Sequence, residues 1–187
     1  MEEFISYLQK IAPLTKESSL EFISKCKLYN FSKGTVLVKP GQTSQYLYFV
    51  KSGIGKVYYL KEEKELIDWI SDEGHLLTSV TSFLTHQPSK HYVQLIEDSK
   101  LIGISYNDLE SLFSKYHDME RLGRKISTMA LVQLQERINA MQFESAKERY
   151  DNFLVRFPSC INRIALGDLA SYLGMTQVTL SRVRALK

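Results

Sequence analysis

A chain of 187 residues, 44% apolar and 24% charged, is long enough for one large or two small domains with an ample core. Its two cysteines, Cys26 and Cys160, are far apart and fit no metal-ligand spacing. With two acids and no basic run near Met1, they point to reduced thiols in a cytoplasmic protein rather than a secreted disulfide framework. No apolar run approaches the length of a membrane span. The formal charge of +3 is unevenly spread: the first 118 residues hold 13 lysines, no arginine and 15 acids, net −2, and the rest holds 8 arginines, 3 lysines and 6 acids, net +5. An acidic, arginine-free half followed by a basic, arginine-rich one fits a sensor joined to a nucleic-acid binder.

In chain order, residues 3–12 and 17–27 are expected to form short helices around the Ala12-Pro13-Leu14 break. Ile5, Leu8 and Ile11 are spaced as one apolar face, and Leu20, Ile23 and Cys26 as another. From Leu28 the pattern becomes short β segments. Lys33-Gly34 and Pro40-Gly41 flank Thr35–Lys39, and Ser52-Gly53 between Tyr46–Val50 and Ile54–Leu60 reads as a hairpin turn. Glu65–Ser71, Tyr92–Ile96 and Lys100–Ser105 supply further strands, so an antiparallel sandwich or jelly roll is expected. Tyr106–Lys115 reads as a short amphipathic helix. Met119–Met141 then contains no proline and one glycine, Gly123. Met119, Leu122, Ile126, Ala130, Leu134, Ile138 and Met141 form a continuous stripe that would suit a monomer core or a dimer seam. Met129, Leu131 and Val132 widen the stripe beyond what one small domain needs, which favours the dimer. Gln142–Glu144 reads as a hinge, Ser145-Ala-Lys-Glu148 as a capping box opening a new helix, and Pro158 as its end.

The last stretch, Ile164–Lys187, reads as two short helices joined by a tight turn. Leu166, Leu169, Ala170 and Leu173 share one face, Gly174 ends the first helix and Met175 plugs the corner. Thr176 caps a second helix whose buried side is Leu180, Val183 and Val178 in part. This is a helix-turn-helix pattern. Thr176, Gln177, Val178, Thr179, Ser181, Arg182 and Arg184 are the expected DNA-binding residues. Arginine can fork onto guanine, glutamine onto adenine, and hydroxyls reach phosphates or base edges. Taken alone, the same two helices could also be a solvated hairpin whose arginines keep it soluble.

Lys33-Gly34-Thr35-Val36-Leu37, Pro40-Gly41 and Leu47-Tyr48-Phe49-Val50-Lys51-Ser52-Gly53 resemble the opening strands of a cyclic-nucleotide-binding domain. With the terminal helix-turn-helix, the chain resembles the Crp/Fnr family of bacterial transcription regulators. That resemblance implies an α+β fold: a sensor β-roll over 1–118, a dimer helix and hinge over 119–144, and a DNA-binding domain over 145–187. It implies a palindromic duplex, a second copy of the chain, RNA polymerase and a small effector as partners, with no membrane partner. The chain departs from the family at its end, where the usual β-wing is expected to be absent. A further departure lies in the effector segment. There the family places a Gly-Glu pair and, about ten residues on, an Arg that neutralises the nucleotide phosphate. Aligned back from Ile104-Ser105 without gaps, Thr78-Ser79 replaces Gly-Glu and Ser89-Lys90 replaces Arg-Ser. The expected pocket, Thr78, Ser79, Thr81, Ser82, Ser89 and Lys90, lacks both charged contacts, so cAMP is not expected as a cofactor.

An enzyme is not expected. β-Rolls of this kind occur in metal-dependent cupins, but His75, His86, His91 and His117 are scattered and read as surface or loop histidines. There is no Gly-rich phosphate loop, nucleophile elbow or paired acidic motif, and the cysteine cluster of iron–sulfur members of the family is missing. The competing expectation is a sensor or interaction protein that does not bind DNA.

Overall fold

The computed structural model describes residues 2–185. Met1, Leu186 and Lys187, and with them the chain end on which the expectation of a missing wing rests, lie outside the described residues. Two helices come first, α1 (Glu2–Ile11) and α2 (Lys16–Lys25), the second capped by Thr15, whose hydroxyl accepts from the Ser18 amide at 3.2 Å. Eight strands follow: β1 (Lys27–Phe31), β2 (Val36–Val38), β3 (Tyr46–Ser52), β4 (Gly55–Lys61), β5 (Lys64–Ser71), β6 (Leu76–Leu77), β7 (Tyr92–Leu95) and β8 (Ser99–Ser105). A short helix, α3 (Val80–Thr85), interrupts them after β6. They make two antiparallel four-stranded sheets, ordered β1-β8-β3-β6 and β2-β7-β4-β5. Four helices complete the described chain after α4 (Tyr106–Lys115): α5 (His117–Phe143), α6 (Ala146–Arg156), α7 (Leu166–Tyr172) and α8 (Gln177–Ala185). Among the described residues no helix is long and apolar enough to cross a membrane.

Alternation along each strand assigns its two faces. In β3, Tyr48 and Val50 point into the roll, while Leu47 and Phe49 turn outward under α1, α4 and the first turns of α5. In β8, Leu101 faces inward, and Ile102 and Ile104 outward. The outer face of the second sheet is covered differently. Ile54, Tyr58, Ile67 and Ile70 are buried together with Tyr150, Phe153, Phe157, Leu169, Tyr172 and Leu180 from the last three helices. Sensor sheet and terminal helices therefore share one apolar core. Ile67 and Ile70 are three residues apart and would face opposite ways in a regular strand. The pairing slips between Val57 and Tyr58, which face Trp69 and Ile67, so that Asp68 is the extra residue of a β-bulge.

Several expectations change. Ser52-Gly53 is not a hairpin turn: β3 pairs with β6 and β8, β4 pairs with β5 and β7, and the chain crosses between sheets there. Gly53, at φ +105°, makes the crossing because a Cβ would lie 2.1 Å from the Ser99 hydroxyl. The true hairpin is β4–β5, whose tip holds Glu62 and Glu63 at positive φ. Of the expected face of α2, Cys26 is buried and Ile23 packs on the core, but Leu20 is exposed, and Ser18, Ser19 and Phe22 are buried beside them. The long stripe divides. Met119 and Leu122 are buried and Ile126 packs on the sensor core, whereas Leu134, Ile138 and Met141 are exposed with Met129, Leu131 and Val132. The expected hinge is shorter than Gln142–Glu144: α5 runs through Phe143, Glu144 caps it, and Ser145 caps α6 with both capping-box bonds formed.

Because the core is shared, Phe157, 1% exposed, should matter to both halves. Phe157→Ala is expected to cost about 3–5 kcal/mol. Urea unfolding followed by circular dichroism and by the fluorescence of Trp69 should give one coincident transition for parent and variant. Trp69 is the single tryptophan, and the Arg156 guanidinium of α6 lies 5.3 Å from its ring. Two separated transitions in the parent would show that the terminal helices fold apart from the sheet.

Candidate nucleic-acid interface and effector pocket

The C-terminal pair of helices is built as its residue types dictate. Leu169 and Ala170 of α7 are buried, as is Leu173 after it, and Gly174 adopts φ +64°, a left-handed conformation that ends the helix at little cost. The Met175 amide closes the turn by bonding back to the Ala170 carbonyl at 3.0 Å. Thr176 then caps α8: its hydroxyl accepts from the Thr179 amide at 3.1 Å and lies 2.9 Å from the Thr179 hydroxyl. Leu180 and Val183 anchor α8 in the shared core.

The outer side of α8 carries Gln177, Val178, Ser181, Arg182 and Arg184, all exposed, with Thr179 half-buried beside them and Thr176 exposed at the start. Val178 differs from its expected half-buried place. It is 60% exposed and, four residues before Arg182, shares the outer face with it, while Leu180 and Val183 reach the core. Gln177 also leans on its neighbour: its amide nitrogen would lie 3.1 Å from a Cβ at Gly167.

Two arginines that no motif marked hold the end of α7 in place. Arg149 donates to the Leu173 carbonyl at 2.8 Å and to the Glu144 carbonyl at 2.6 Å. Arg137, from α5, donates to the Tyr172 carbonyl at 3.1 Å with its guanidinium 4.2 Å from the Tyr172 ring centroid. Together they satisfy carbonyls that the end of a seven-residue helix leaves open. Arg156 bonds Gln133 of α5 at 2.8 Å. The other side of α7 is tied to the sensor. The Ser171 hydroxyl accepts from the Ile67 amide at 2.9 Å and donates to the Glu65 carbonyl at 3.2 Å, both on edge strand β5. Lys56, a buried lysine of β4, reaches Asp168 at 3.1 Å and also pairs with Glu65. Burial works against its charge, but the two carboxylates outweigh it and its pKa is raised.

Between α6 and α7 the contacts become ionic. Arg163 forks onto Glu73 at 3.0 and 2.7 Å and also pairs with Glu97. The guanidinium lowers the Glu73 pKa, with help from the Gly53 amide. Beside it, buried Asp72 accepts from the Cys160 thiol at 3.2 Å and bonds the His75 ring at 2.6 Å. Burial alone would raise the Asp72 pKa; these bonds reverse it and lower it. Burial and the Asp72 carboxylate push the Cys160 thiol up to about 12.

In the sensor, four of the six expected pocket residues come together. Thr78, Ser79, Ser82 and Ser89 are buried, while Thr81 and Lys90 are exposed. Ser79 and Ser89 face each other with their hydroxyls 2.8 Å apart. Ser44, which no sequence signal marked, joins them. Its hydroxyl lies 2.9 Å from Thr78 and its amide donates to Ser82 at 2.9 Å. The protons can be followed through the cluster. Thr78 gives its proton to the Tyr46 carbonyl, Ser82 to the Gln87 carbonyl and Ser89 to the His91 carbonyl. Ser44 and Ser79 are then left to donate to Thr78 and Ser89. All five hydroxyl protons are committed inside the protein. A separate surface recess, lined by Pro13, Leu14, Tyr116, Asp118 and Arg121 among others, includes none of the six expected residues.

Comparison with known proteins agrees with this arrangement. The family profile "Cyclic nucleotide-binding domain" matches residues 28–116, from β1 to the end of α4. The fumarate and nitrate reduction regulatory protein of Vibrio cholerae is 26% identical over 164 residues, which cover 81% of this chain. The chain spans 64% of that relative's length. The structure of FixK2 from Bradyrhizobium japonicum superposes with a TM-score of 0.74 at 17% identity, covering 86% of this chain and 83% of that one. A protein from Eubacterium rectale, assigned to the Crp/Fnr transcriptional regulators, superposes at 0.69 with 15% identity, covering 92% and 83%. The chain has the fold of a Crp/Fnr regulator. The Vibrio cholerae relative is by name a regulatory protein, and the two structural likenesses show that this fold extends over the β-roll and the terminal helices alike.

Proposed function

We propose that this protein is a cytoplasmic transcription regulator of Crp/Fnr type that binds palindromic duplex DNA as a two-fold dimer, and that cyclic nucleotides do not govern it. The observation that carries the reading is the outer face of α8, where Gln177, Ser181, Arg182 and Arg184 are exposed on a helix anchored in the core by Leu180 and Val183. A helix so presented can enter a major groove, with Arg182 on a base edge, Gln177 and Thr179 beside it, and Ser181 or Arg184 on phosphates. Binding to duplex DNA should fall log-linearly with salt. Arg182→Ala should cost about 1–3 kcal/mol and relax preference at one position of the site. An Arg182→Ala protein that binds the selected operator as tightly as the parent would mean that α8 does not enter the groove in this orientation. A salt-independent signal, or none, would favour a sensor that does not bind DNA.

Dimerisation is supported by the second half of α5. Leu131 is 66% exposed, Val132 51%, Ile138 50% and Phe143 80%, large apolar side chains left uncovered on the half of α5 whose Gln133 and Arg137 meet the terminal helices. A second copy packed in parallel along it would place two α8 helices toward successive grooves about 34 Å apart. Light scattering should give a dimer at micromolar concentration. A monomer there would leave the apolar half of α5 without its proposed partner.

The effector proposal follows from the committed hydroxyls. A cyclic phosphate carries a full negative charge, and burying it without a cation leaves one partner of a buried pair missing, a cost of about 3–5 kcal/mol. Ser89 offers a hydroxyl whose proton already serves the His91 carbonyl. The pocket therefore suits an uncharged ligand or none. Calorimetry with cAMP and cGMP should show no saturable binding at tens of micromolar. Binding in that range, with a change in DNA affinity, would mean that the cluster opens to take a nucleotide.

A further inference from the structure

Arg163 belongs neither to α8 nor to the hydroxyl cluster. It stands three residues ahead of α7, and its side chain turns back onto the sensor. Two carboxylates converge on it from different turns: Glu73 lies between β5 and β6, and Glu97 between β7 and β8. Glu73 takes both oxygens to the guanidinium, at 3.0 and 2.7 Å, and Glu97 takes one to Nε at 3.3 Å and the other to Nη2. The same planar fork of donors fits a phosphate, which is why arginine serves both groups.

We infer that Arg163 is a DNA-phosphate contact that the sensor withholds, with Glu73 and Glu97 standing where phosphate oxygens would otherwise bind. The inference rests on the DNA-binding reading above. In a helix-turn-helix the first helix crosses the DNA backbone while the second enters the groove, so a cation at the entry to α7 belongs to the backbone side of the motif. Exposure separates this contact from its neighbour. The Arg163, Glu73 and Glu97 side chains are 29%, 37% and 27% exposed, open enough for a polyanion to compete for the guanidinium. The Lys56 side chain, which holds Asp168, is only 9% exposed and is part of the packing. Partly exposed pairs of the first kind are screened by salt and reached by solvent, so a polyanion can take the place of the carboxylates without unfolding the shared core.

The test compares the parent with Glu73→Gln/Glu97→Gln in the full chain. Glutamine keeps an oxygen for the Gly53 amide, which now donates to Glu73 at 2.8 Å. If melting shows the double variant to be unfolded, Glu97→Gln alone takes its place. Binding to a mixed-sequence duplex is measured by fluorescence anisotropy across a potassium chloride series. The acid-to-amide variant is expected to bind at least several-fold tighter, with a log–log salt slope steeper by about 0.9, one extra phosphate contact. Arg163→Ala in that background should cancel the gain, and in the parent should leave the slope unchanged. An unaltered or flatter slope for the acid-to-amide variant overturns the inference, as does an Arg163→Ala parent that already loses a contact. If neither parent nor variant binds any duplex, the DNA-binding reading itself has failed and the inference falls with it. A parent that binds beside an unresponsive variant sinks the inference alone.

Discussion

The packing of three short helices on the outer face of one sensor sheet decides the position of every functional residue in the second half of the chain. The segment from α6 to α8 spans 40 residues, too few to bury a self-sufficient core. It completes that core with Ile54, Tyr58, Ile67 and Ile70, which belong to the sensor. Phe157 is the keystone: almost fully buried, it touches Phe153 and Tyr172 within its own segment and the His75 ring across the boundary. The orientation of α8 is thus not a property of the helix pair alone. It is inherited from the sheet.

Apolar contact fixes that the helices dock, but it is nearly indifferent to rotation, so polar contacts set the register. Ser171 supplies both a donor and an acceptor to the open edge of β5, where a free amide and a free carbonyl would otherwise face solvent or another strand. At the far end of α7, Arg137 and Arg149 hold the last carbonyls from α5 and α6. A seven-residue helix has little stability of its own. Held at both ends by different parts of the protein, it becomes a rigid coupling between the sheet that would sense and the helix that would read.

Much of this was legible in the sequence, and what was not has identifiable physical causes. Periodicity marked α4 to the residue, and the Ser145 capping box marked the start of α6, because both signals are local. The Ser52-Gly53 turn misled because a glycine between two strands signals a reversal equally well whether the strands pair or change sheets; only the partners β8 and β7, far along the chain, decide. The bulge at Asp68 was invisible for a similar reason. It puts Ile67 and Ile70 on one face against the period of a strand, and the surface they form has a purpose only once α6 and α7 lie on it. The faces of α8 were readable except at Val178, where hydrophobicity argued for burial but the place four residues before Arg182 puts it on the outer face. The arginines of the interface, Arg137, Arg149, Arg156 and Arg163, carry no motif; their roles exist only in the contacts between elements.

The same reasoning explains why neutral hydroxyls can fill the segment around α3. A buried carboxylate and guanidinium facing each other over an empty cavity would each demand desolvation, and the pair recovers that cost only with good geometry and further hydrogen bonds. Two hydroxyls make no such demand. Ser79 and Ser89 bond at 2.8 Å, Ser44 and Thr78 at 2.9 Å, and the protons left over go to backbone carbonyls. A network with every proton placed stiffens the segment it joins, here α3, the loop before β3 and the loop before β7. A charged ligand would bridge those same segments. Built this way, the roll fills this segment with neutral groups, while at the boundary with the terminal helices three partly exposed charges, Arg163, Glu73 and Glu97, meet one another.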